Sequence, residues 1–240
     1  SYFQAGRAEA GYKLLKSSVL DGMYLGDSPG NFGQISFYDA ARGECYRDFG
    51  DPIGVASRVL IQGLFGILPD ALNQQIILRP GFPDDWDKAS VSTPDISYRF
   101  TRKEDTDTYH ITQRFQTPLH PVLQINARKE KIRSVKVNGV PATWQSIESA
   151  HGYPLLSIQA EGTSSTTITI EWEGASLHTL AVQELVIASN GKLALQIPSG
   201  ASISQVYDPQ SVLAKHTVEA TAFNAQLKGE PGHHTFFVYT

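Results

Sequence analysis

The chain has 240 residues, of which 41% are hydrophobic, and its 20 basic and 24 acidic side chains give a formal charge of −4. This composition excludes a disordered or collagen-like chain, and at about 150 residues per domain the length predicts one or two domains. A mildly acidic chain lacks the basic surface that binds phosphate backbones, so we expect no nucleic-acid partner. No apolar run approaches the roughly 18 residues of a membrane-spanning helix, so we expect no membrane span.

Residues 3–25 have helical periodicity. Apolar side chains recur there at spacings that place them on one face of a helix, at Tyr12, Leu15, Val19 and Met23. A polar, glycine-rich loop follows over residues 26–50. A second helix is predicted to begin at Asp51 and Pro52, a favourable N-cap and first-turn pair, and to end at Pro69 and Asp70.

The second predicted helix is apolar on nearly all sides, which is typical of a helix that neighbours surround. Burial of each large apolar side chain contributes about 1.5–3 kcal/mol, and two helices alone cannot bury them all. Either further helices precede residue 1 in a longer polypeptide, or this helix packs on the rest of the chain or on a second copy. Because residue 1 is Ser and residues 235–240 are strand-like, we expect the chain to be a piece of a larger protein.

From Gln74 onward the pattern changes to short alternating runs, which predict strands. Roughly seven or eight strands over residues 74–174 are enough for an antiparallel β-sandwich. Asn138 and Gly139 form a strong two-residue hairpin signal. A second block of strand-like runs follows, at residues 185–187, 193–197, 203–207, 218–222 and 236–239.

The sequence therefore predicts a mainly β chain with an N-terminal helical segment. Residues 1–72 form the helical segment and residues 73–175 the β-sandwich. Residues 176–240 form either a second small β domain or an extension of the sandwich.

Three stretches around the predicted junction resemble a known arrangement. They are GLFGILPD at residues 63–70, IILRP at 76–80 and WDKAS at 86–90. They resemble the point in six-hairpin glycosidases, such as the α-L-rhamnosidases, where the last helix of the catalytic (α/α)6 barrel enters a C-terminal β-sandwich. The resemblance implies that residues 1–72 are the last helical hairpin of such a barrel. The chain departs from the α-L-rhamnosidases at Gly50 and Arg58, where they usually carry His and Glu.

In that family the loops between paired helices line the sugar-binding face, which implies a site in the loop at residues 27–51. Glycoside hydrolysis needs two carboxyl groups that flank the scissile bond. The catalytic candidates are Glu44 and Asp48, either of which would be one carboxylate of the pair. The predicted substrate-binding residues, which are aromatic rings for stacking and polar groups for sugar hydroxyls or a uronate, are Asn31, Phe32, Tyr38, Arg42, Tyr46 and Arg47.

Structural roles compete with these functional interpretations. Asp51 fits a helix cap better than a catalyst, and Arg47 with Asp48 fits a local ion pair or a turn. Glu44 is the carboxylate that local structure explains least.

Aromatic residues of the β-rich part offer a second kind of site. Trp86, Trp144, Tyr153 and Trp172 would form a carbohydrate-binding platform if several were exposed and coplanar, whereas alternating strand positions favour the core.

Other chemistries have little support in the sequence. His233 and His234 lack further ligands at metal spacing, and Cys45 fits a small buried residue better than a nucleophile. No phosphate-binding glycine motif is present, so we expect no metal and no cofactor.

Two functions remain open. The chain belongs to a glycoside hydrolase acting on a polysaccharide, with the upstream part of the same polypeptide and carbohydrate as partners and with no activity of its own. Alternatively, it is a non-catalytic β-sandwich module that binds carbohydrate or protein. The resemblance implies a periplasmic or extracellular location.

Overall fold

The computed structural model of the chain describes residues 2–20, 24, 51–147, 154–177, 185–197 and 202–239, without the side chains of residues 51–53. It divides the chain into two compact units, Ser1–His178 and Thr179–Thr240. Strands predominate and an N-terminal helix precedes them, so the prediction of a mainly β chain with a helical start is confirmed. In the part of the chain so described, no helix combines the length and apolarity needed to cross a membrane.

The first unit begins with helix α1 (Ala8–Leu20). Helix α1 begins later than predicted because the preceding residues form a turn, in which Gly6 has a φ of +71° and the Arg7 N–H donates to the Tyr2 carbonyl at 2.9 Å. The predicted inner face is confirmed over the described turns of the helix, where Tyr12 and Leu15 pack against the core.

Helix α2 (Asp51–Arg58) starts where the sequence predicts and continues into a π-helical segment, Val59–Leu64. The predicted end of this helix at Pro69 and Asp70 is wrong. The helix ends at Leu64, and Ile67–Asp70 is an extended strand that pairs antiparallel with Gln75–Leu78. Gly66 separates helix from strand with a φ of +66°, which a residue with a side chain rarely adopts.

The helix is not buried on all sides in the described structure. Leu64 and Phe65 join the core, whereas Val55 is 60% exposed and Leu60 is 40% exposed.

Eleven strands of the described residues belong to the first unit. In chain order they are β1 (Ile67–Asp70), β2 (Gln75–Leu78), β3 (Lys88–Ser92), β4 (Ile96–Lys103), β5 (Thr106–Gln113), β6 (His120–Asn126), β7 (Lys129–Val137), β8 (Val140–Pro141), β9 (Gln145–Ile147), β10 (Leu155–Gln159) and β11 (Ser165–Ser176). A short 3-10 helix, Ala71–Asn73, joins β1 to β2.

These strands form two sheets, in the orders β1-β2-β6-β10-β9 and β3-β4-β5-β11-β7-β8. The pairs are antiparallel except β2 with β6, which is parallel and departs from the purely antiparallel prediction. One hydrophobic core joins both sheets. Its fully enclosed members include Leu78, Leu123 and Ile158 from the first sheet and Phe100, Ile111 and Ile170 from the second.

Local sequence explains much of this arrangement. In β4, β5 and β11 buried and more exposed residues alternate, as expected for strands with one face on a core. The predicted hairpin at Asn138 and Gly139 is confirmed, since both residues have positive φ, 52° and 81°, and connect β7 to β8.

The second unit contains β12 (Lys192–Gln196), β13 (Gln205–Tyr207), β14 (Leu213–Val218), β15 (Ala222–Leu227) and β16 (Phe237–Tyr239). They form a three-stranded sheet, β12-β15-β14, and a two-stranded ribbon, β13-β16. Phe223 lies fully enclosed at the centre of a separate small core, which also contains Leu193 and Val212.

Two strand predictions in this unit are wrong. Residues 185–187 are irregular, with Val186 fully exposed. In the run predicted at residues 218–222, Val218 ends β14 and Ala222 begins β15. Residues 219–221 form the turn between them, closed by the Glu219 N–H donating to the Ala222 carbonyl at 2.8 Å. Alternation alone could not separate a strand from this tight turn between two strands.

Candidate functional site

The predicted catalytic and substrate-binding residues lie outside the described residues. These are Glu44 and Asp48, and with them Asn31, Phe32, Tyr38, Arg42, Tyr46 and Arg47. Arg58, at the position where the α-L-rhamnosidases carry Glu, donates from Nε to the Gln62 side-chain oxygen at 2.7 Å.

The helix-to-sheet junction is built around the Phe3 ring. An added Cβ on Gly11 of α1 or on Gly63 of the π-helical segment would stand 2.9 Å and 2.7 Å from this ring, and one on Gly81 would collide with it. Three chain segments therefore approach the ring closely because each presents a glycine. We call the space that these three glycines leave for the ring the glycine socket. Phe3 is itself 7% exposed, so the glycine socket is closed to solvent.

The same junction is fastened by hydrogen bonds and aromatic contacts. Glu9 of α1 accepts a hydrogen bond from the Asp84 N–H at 2.9 Å. Tyr12 meets the edge of the Trp86 ring with 5.0 Å between centroids. Beyond Gly66, the Arg79 N–H donates to the Gly66 carbonyl at 2.9 Å. Helix α1, the π-helical segment and the first strands therefore pack as one body.

A cavity of about 270 Å³ opens beside this junction, between the π-helical segment and one end of the two sheets. Its apolar walls are Ile61, Ile67, Pro69, Ile76, Ile96 and Phe115. Its polar groups are Gln62, Thr93 and Asp95. Mostly apolar concavities with a few polar groups are the usual form of small-molecule sites.

A buried polar network lies within the second sheet. Asp107 of β5 is 2% exposed, and its two carboxylate oxygens accept hydrogen bonds of 2.9 Å from Arg102 Nε and from the Trp172 indole N–H. Arg128 Nε completes the network as an ion pair at 3.4 Å from Asp107 Oδ2. Because this carboxylate is enclosed and its oxygens are engaged, the network holds β4, β5 and β11 together and leaves no access for substrate.

Two tyrosines beside this network are shielded from water. Burial raises the pKa of Tyr98 well above its ordinary value, and the nearby Tyr109 raises it further. Burial, followed by the charge of Asp107, also raises the pKa of Tyr109. The Tyr98 hydroxyl is buried and makes no hydrogen bond within the described residues. Both side chains are therefore neutral core residues at physiological pH.

The three tryptophans differ in burial, and the core position that alternation favoured is found at Trp172. Trp172 is 2% exposed and belongs to the core, which excludes it from any surface site. Trp86 is half-buried and stacks against Phe82, with 6.0 Å between centroids. Trp144 is 44% exposed, and Tyr153 lies outside the described residues.

An exposed aromatic pair occurs instead on the ribbon of the second unit. Tyr207 of β13 and Phe237 of β16 are cross-strand partners, 50% and 37% exposed. Their rings are within 20° of parallel, with centroids 6.1 Å apart. The register places Gln205 and Tyr239 on the same face of the ribbon. This face therefore combines flat apolar rings with an amide and phenolic hydroxyls.

The described residues contain no group of three or more His, Cys, Asp or Glu side chains arranged to hold a metal ion. His234 Nε2 lies 2.8 Å from the Glu230 carbonyl, within a turn before β16.

Comparisons with known proteins leave the family open. No family model matches the chain, and no curated protein or solved structure matches it either.

Sequence reasoning missed two of these features. The burial of Asp107 could have been predicted, because the alternation of β5 places this residue on the same face as the buried Tyr109 and Ile111. The pairing of Tyr207 with Phe237 had no comparable signal, since about 30 residues separate them and only the register of the ribbon brings them together.

Proposed function

We propose that this chain is part of a carbohydrate-active protein, in which residues 1–72 belong to an (α/α)6 barrel of a glycoside hydrolase and the β-rich remainder supports it. The catalytic candidates of this proposal are Glu44 and Asp48, either of which supplies one carboxylate of the pair, and the upstream part of the same polypeptide supplies the other. The chain alone is then inactive, because an acid and a base must flank one bond. The proposed location is periplasmic or extracellular.

The observation that carries this proposal is the close packing at the junction between helix and sheet. The stretch at residues 63–70 and the neighbouring Gly81 provide the close packing at Phe3 and the left-handed backbone at Gly66. The stretch that carries the resemblance is thus a place where a helix is rigidly joined to a β-rich unit. The exposed Val55 and Leu60 on the helix supply apolar surface for further helices.

The test uses the longest natural polypeptide that contains this chain, assayed for hydrolysis of a polysaccharide panel. Glu44→Gln and Asp48→Asn are made singly, with Glu161→Gln in the first unit as a control that is exposed and distant in sequence from the loop. The proposal expects at least one loop variant to lose about 100-fold or more in hydrolysis, the usual scale of acid–base catalysis. Unchanged hydrolysis and unchanged sugar affinity in both loop variants would contradict it.

A second candidate function is non-catalytic carbohydrate binding, and the aromatic pair at Tyr207 and Phe237 favours it. Flat aromatic faces bind apolar ring faces, and adjacent Gln205 offers an amide to sugar hydroxyls. A glycan array probed with the 240-residue chain tests this function without any catalytic partner. Binding that is lost in Tyr207→Ala and kept in Trp144→Ala supports the ribbon as the site, and equal binding by both variants counts against it.

A further inference from the structure

The cavity of the first unit has fixed walls. The π-helical segment Val59–Leu64 forms one side, and such segments occur frequently at functional sites. The loop at residues 93–95 also lines the cavity, through Thr93 and Asp95. In it the Thr93 hydroxyl both donates to the Ile96 carbonyl at 3.1 Å and accepts from the Ile96 N–H at 3.2 Å. Fixed walls reduce the entropy that binding would otherwise cost.

Arg114 holds this loop by donating hydrogen bonds to backbone carbonyls of the loop. Its guanidinium donates to the Thr93 carbonyl at 3.2 Å and to the Ser97 hydroxyl at 2.8 Å. Its own N–H donates to the Asp95 carbonyl at 2.8 Å. The nearby cation is therefore engaged with the loop and with Ser97.

The Asp95 carboxylate, in contrast, has no hydrogen bond or ion pair with any described residue, although it lines the cavity. The side-chain oxygen of Gln62, another lining residue, accepts from Arg58 Nε, and the Gln62 amide N–H groups have no acceptor among the described residues. The cavity thus combines apolar walls with an unpaired anion at its edge. This charge is complementary to a cation that is attached to an apolar group.

The volume limits the size of that apolar group. About 150 Å³ is enough for benzene in an apolar cavity, and drug-sized ligands occupy about 300–1,000 Å³. A cavity of about 270 Å³ therefore fits one six-membered ring with a short arm.

We propose that this cavity binds a small organic ammonium, with its apolar ring among the isoleucines and Phe115 and its cation at the Asp95 carboxylate. This site is independent of the sugar-binding function proposed above, and it requires no residue of the loop at 27–51. The recognised chemistry is a protonated amine on a ring of about six carbons.

The probe is 2-phenylethylamine, which is protonated at neutral pH, and its matched neutral probe is 2-phenylethanol. Binding to the 240-residue chain is followed by NMR with ¹³C-labelled isoleucine methyl groups. The methyl signals of Ile61, Ile67, Ile76 and Ile96 should shift, whereas those of Ile158 and Ile170, which do not line the cavity, should stay in place.

A Kd of about 1–10 mM is expected for the amine, typical of a probe this small. It should bind about threefold to fivefold more tightly than the alcohol, the range for one exposed ion pair. Added salt should reduce that preference.

Asp95→Asn should abolish the preference for the amine while leaving the folded spectrum intact. The exposed Asp85, which does not line the cavity, gives the matched control Asp85→Asn, and this variant should keep the preference. Ile61→Phe fills the cavity and should weaken both probes. The proposal is overturned if the four cavity methyl groups do not respond, if both probes bind equally, or if either Asp95→Asn or Ile61→Phe behaves as the unaltered chain.

Discussion

Replacement of Asp107 by Asn tests whether the buried network holds the second sheet together. The substitution keeps the size of the side chain but removes its charge, and it replaces one acceptor oxygen by an NH₂ donor. Arg102 Nε and the Trp172 indole N–H each donate to one oxygen of Asp107. The side-chain oxygen of Asn can accept from one of these two donors. The Asn NH₂ group then faces the other donor, so that two hydrogen-bond donors point at each other.

Removal of one member of a buried ion pair typically costs about 3–5 kcal/mol, because the remaining charge is left without compensation. Here the arginine partners are each 22% exposed, so water reaches them in part and the lower end applies. We therefore expect a loss of about 3 kcal/mol. For a unit of this size that corresponds to a fall in Tm of about 6–12 °C.

The assay is thermal and urea unfolding of the 240-residue chain, followed by tryptophan fluorescence and circular dichroism. The matched control is Asp105→Asn, since Asp105 is 57% exposed and pairs with Lys129 at 2.7 Å. Its Tm should stay close to that of the unaltered chain, because exposed ion pairs contribute little. A Tm for Asp107→Asn within about 2 °C of the unaltered chain, or an equal fall in both variants, would refute this reasoning.

Four further predictions concern the core and the junction. Phe3→Ala empties the glycine socket and should lower the free energy of unfolding by about 3–5 kcal/mol in urea. Gly66→Ala forces a Cβ into the Arg79 carbonyl at a positive φ and should abolish soluble folded protein, as judged by yield and circular dichroism. Tyr98→Phe removes an unpaired buried hydroxyl and should raise the free energy of unfolding by about 1 kcal/mol. Because folding raises the pKa of Tyr98 and Tyr109, their contribution to stability is intact below about pH 10. It falls as the pH rises further, by about 1.4 kcal/mol per pH unit for each tyrosine, and Tyr98→Phe should reduce this slope in urea titrations.

Each of these predictions has a control or a contradicting outcome. Leu72→Ala alters a side chain that is 98% exposed and should leave stability unchanged, unlike Phe3→Ala. Gly139→Ala shares a positive φ of 81° but has open space, so it should fold where Gly66→Ala does not. Normal folding of Gly66→Ala, or an alkaline slope unaltered by Tyr98→Phe, would contradict the corresponding argument.

The sequence predicts most strands of the first unit because their alternation is local. The alternating runs at residues 97–101 and 167–172 lie wholly in strands, and the run at residues 109–115 extends two residues beyond the end of β5. The hairpin at Asn138 and Gly139 follows from two residues that tolerate positive φ. Strand β1 was missed because Ile67–Asp70 continues the apolar pattern of the helix. The change of structure depends on Gly66, whose conformation is fixed by Arg79, a residue of a different segment.

The site was less predictable than the fold. Trp172 and Tyr207 both occupy alternating positions in predicted strands, yet one is enclosed and the other exposed. Which face of a strand is buried depends on pairing and on the opposite sheet, which local sequence does not encode. The cavity at Asp95 arises in the same way, from four stretches of chain that only the tertiary structure brings together.

The most direct test of the proposal that this chain is part of a carbohydrate-active protein is glycan binding and hydrolysis by the longest natural polypeptide that contains the chain. The account predicts hydrolysis of at least one polysaccharide and a loss of about 100-fold or more in Glu44→Gln or Asp48→Asn. Neither binding nor hydrolysis across a broad glycan panel, by a polypeptide whose unfolding transition shows that it is folded, would contradict the account.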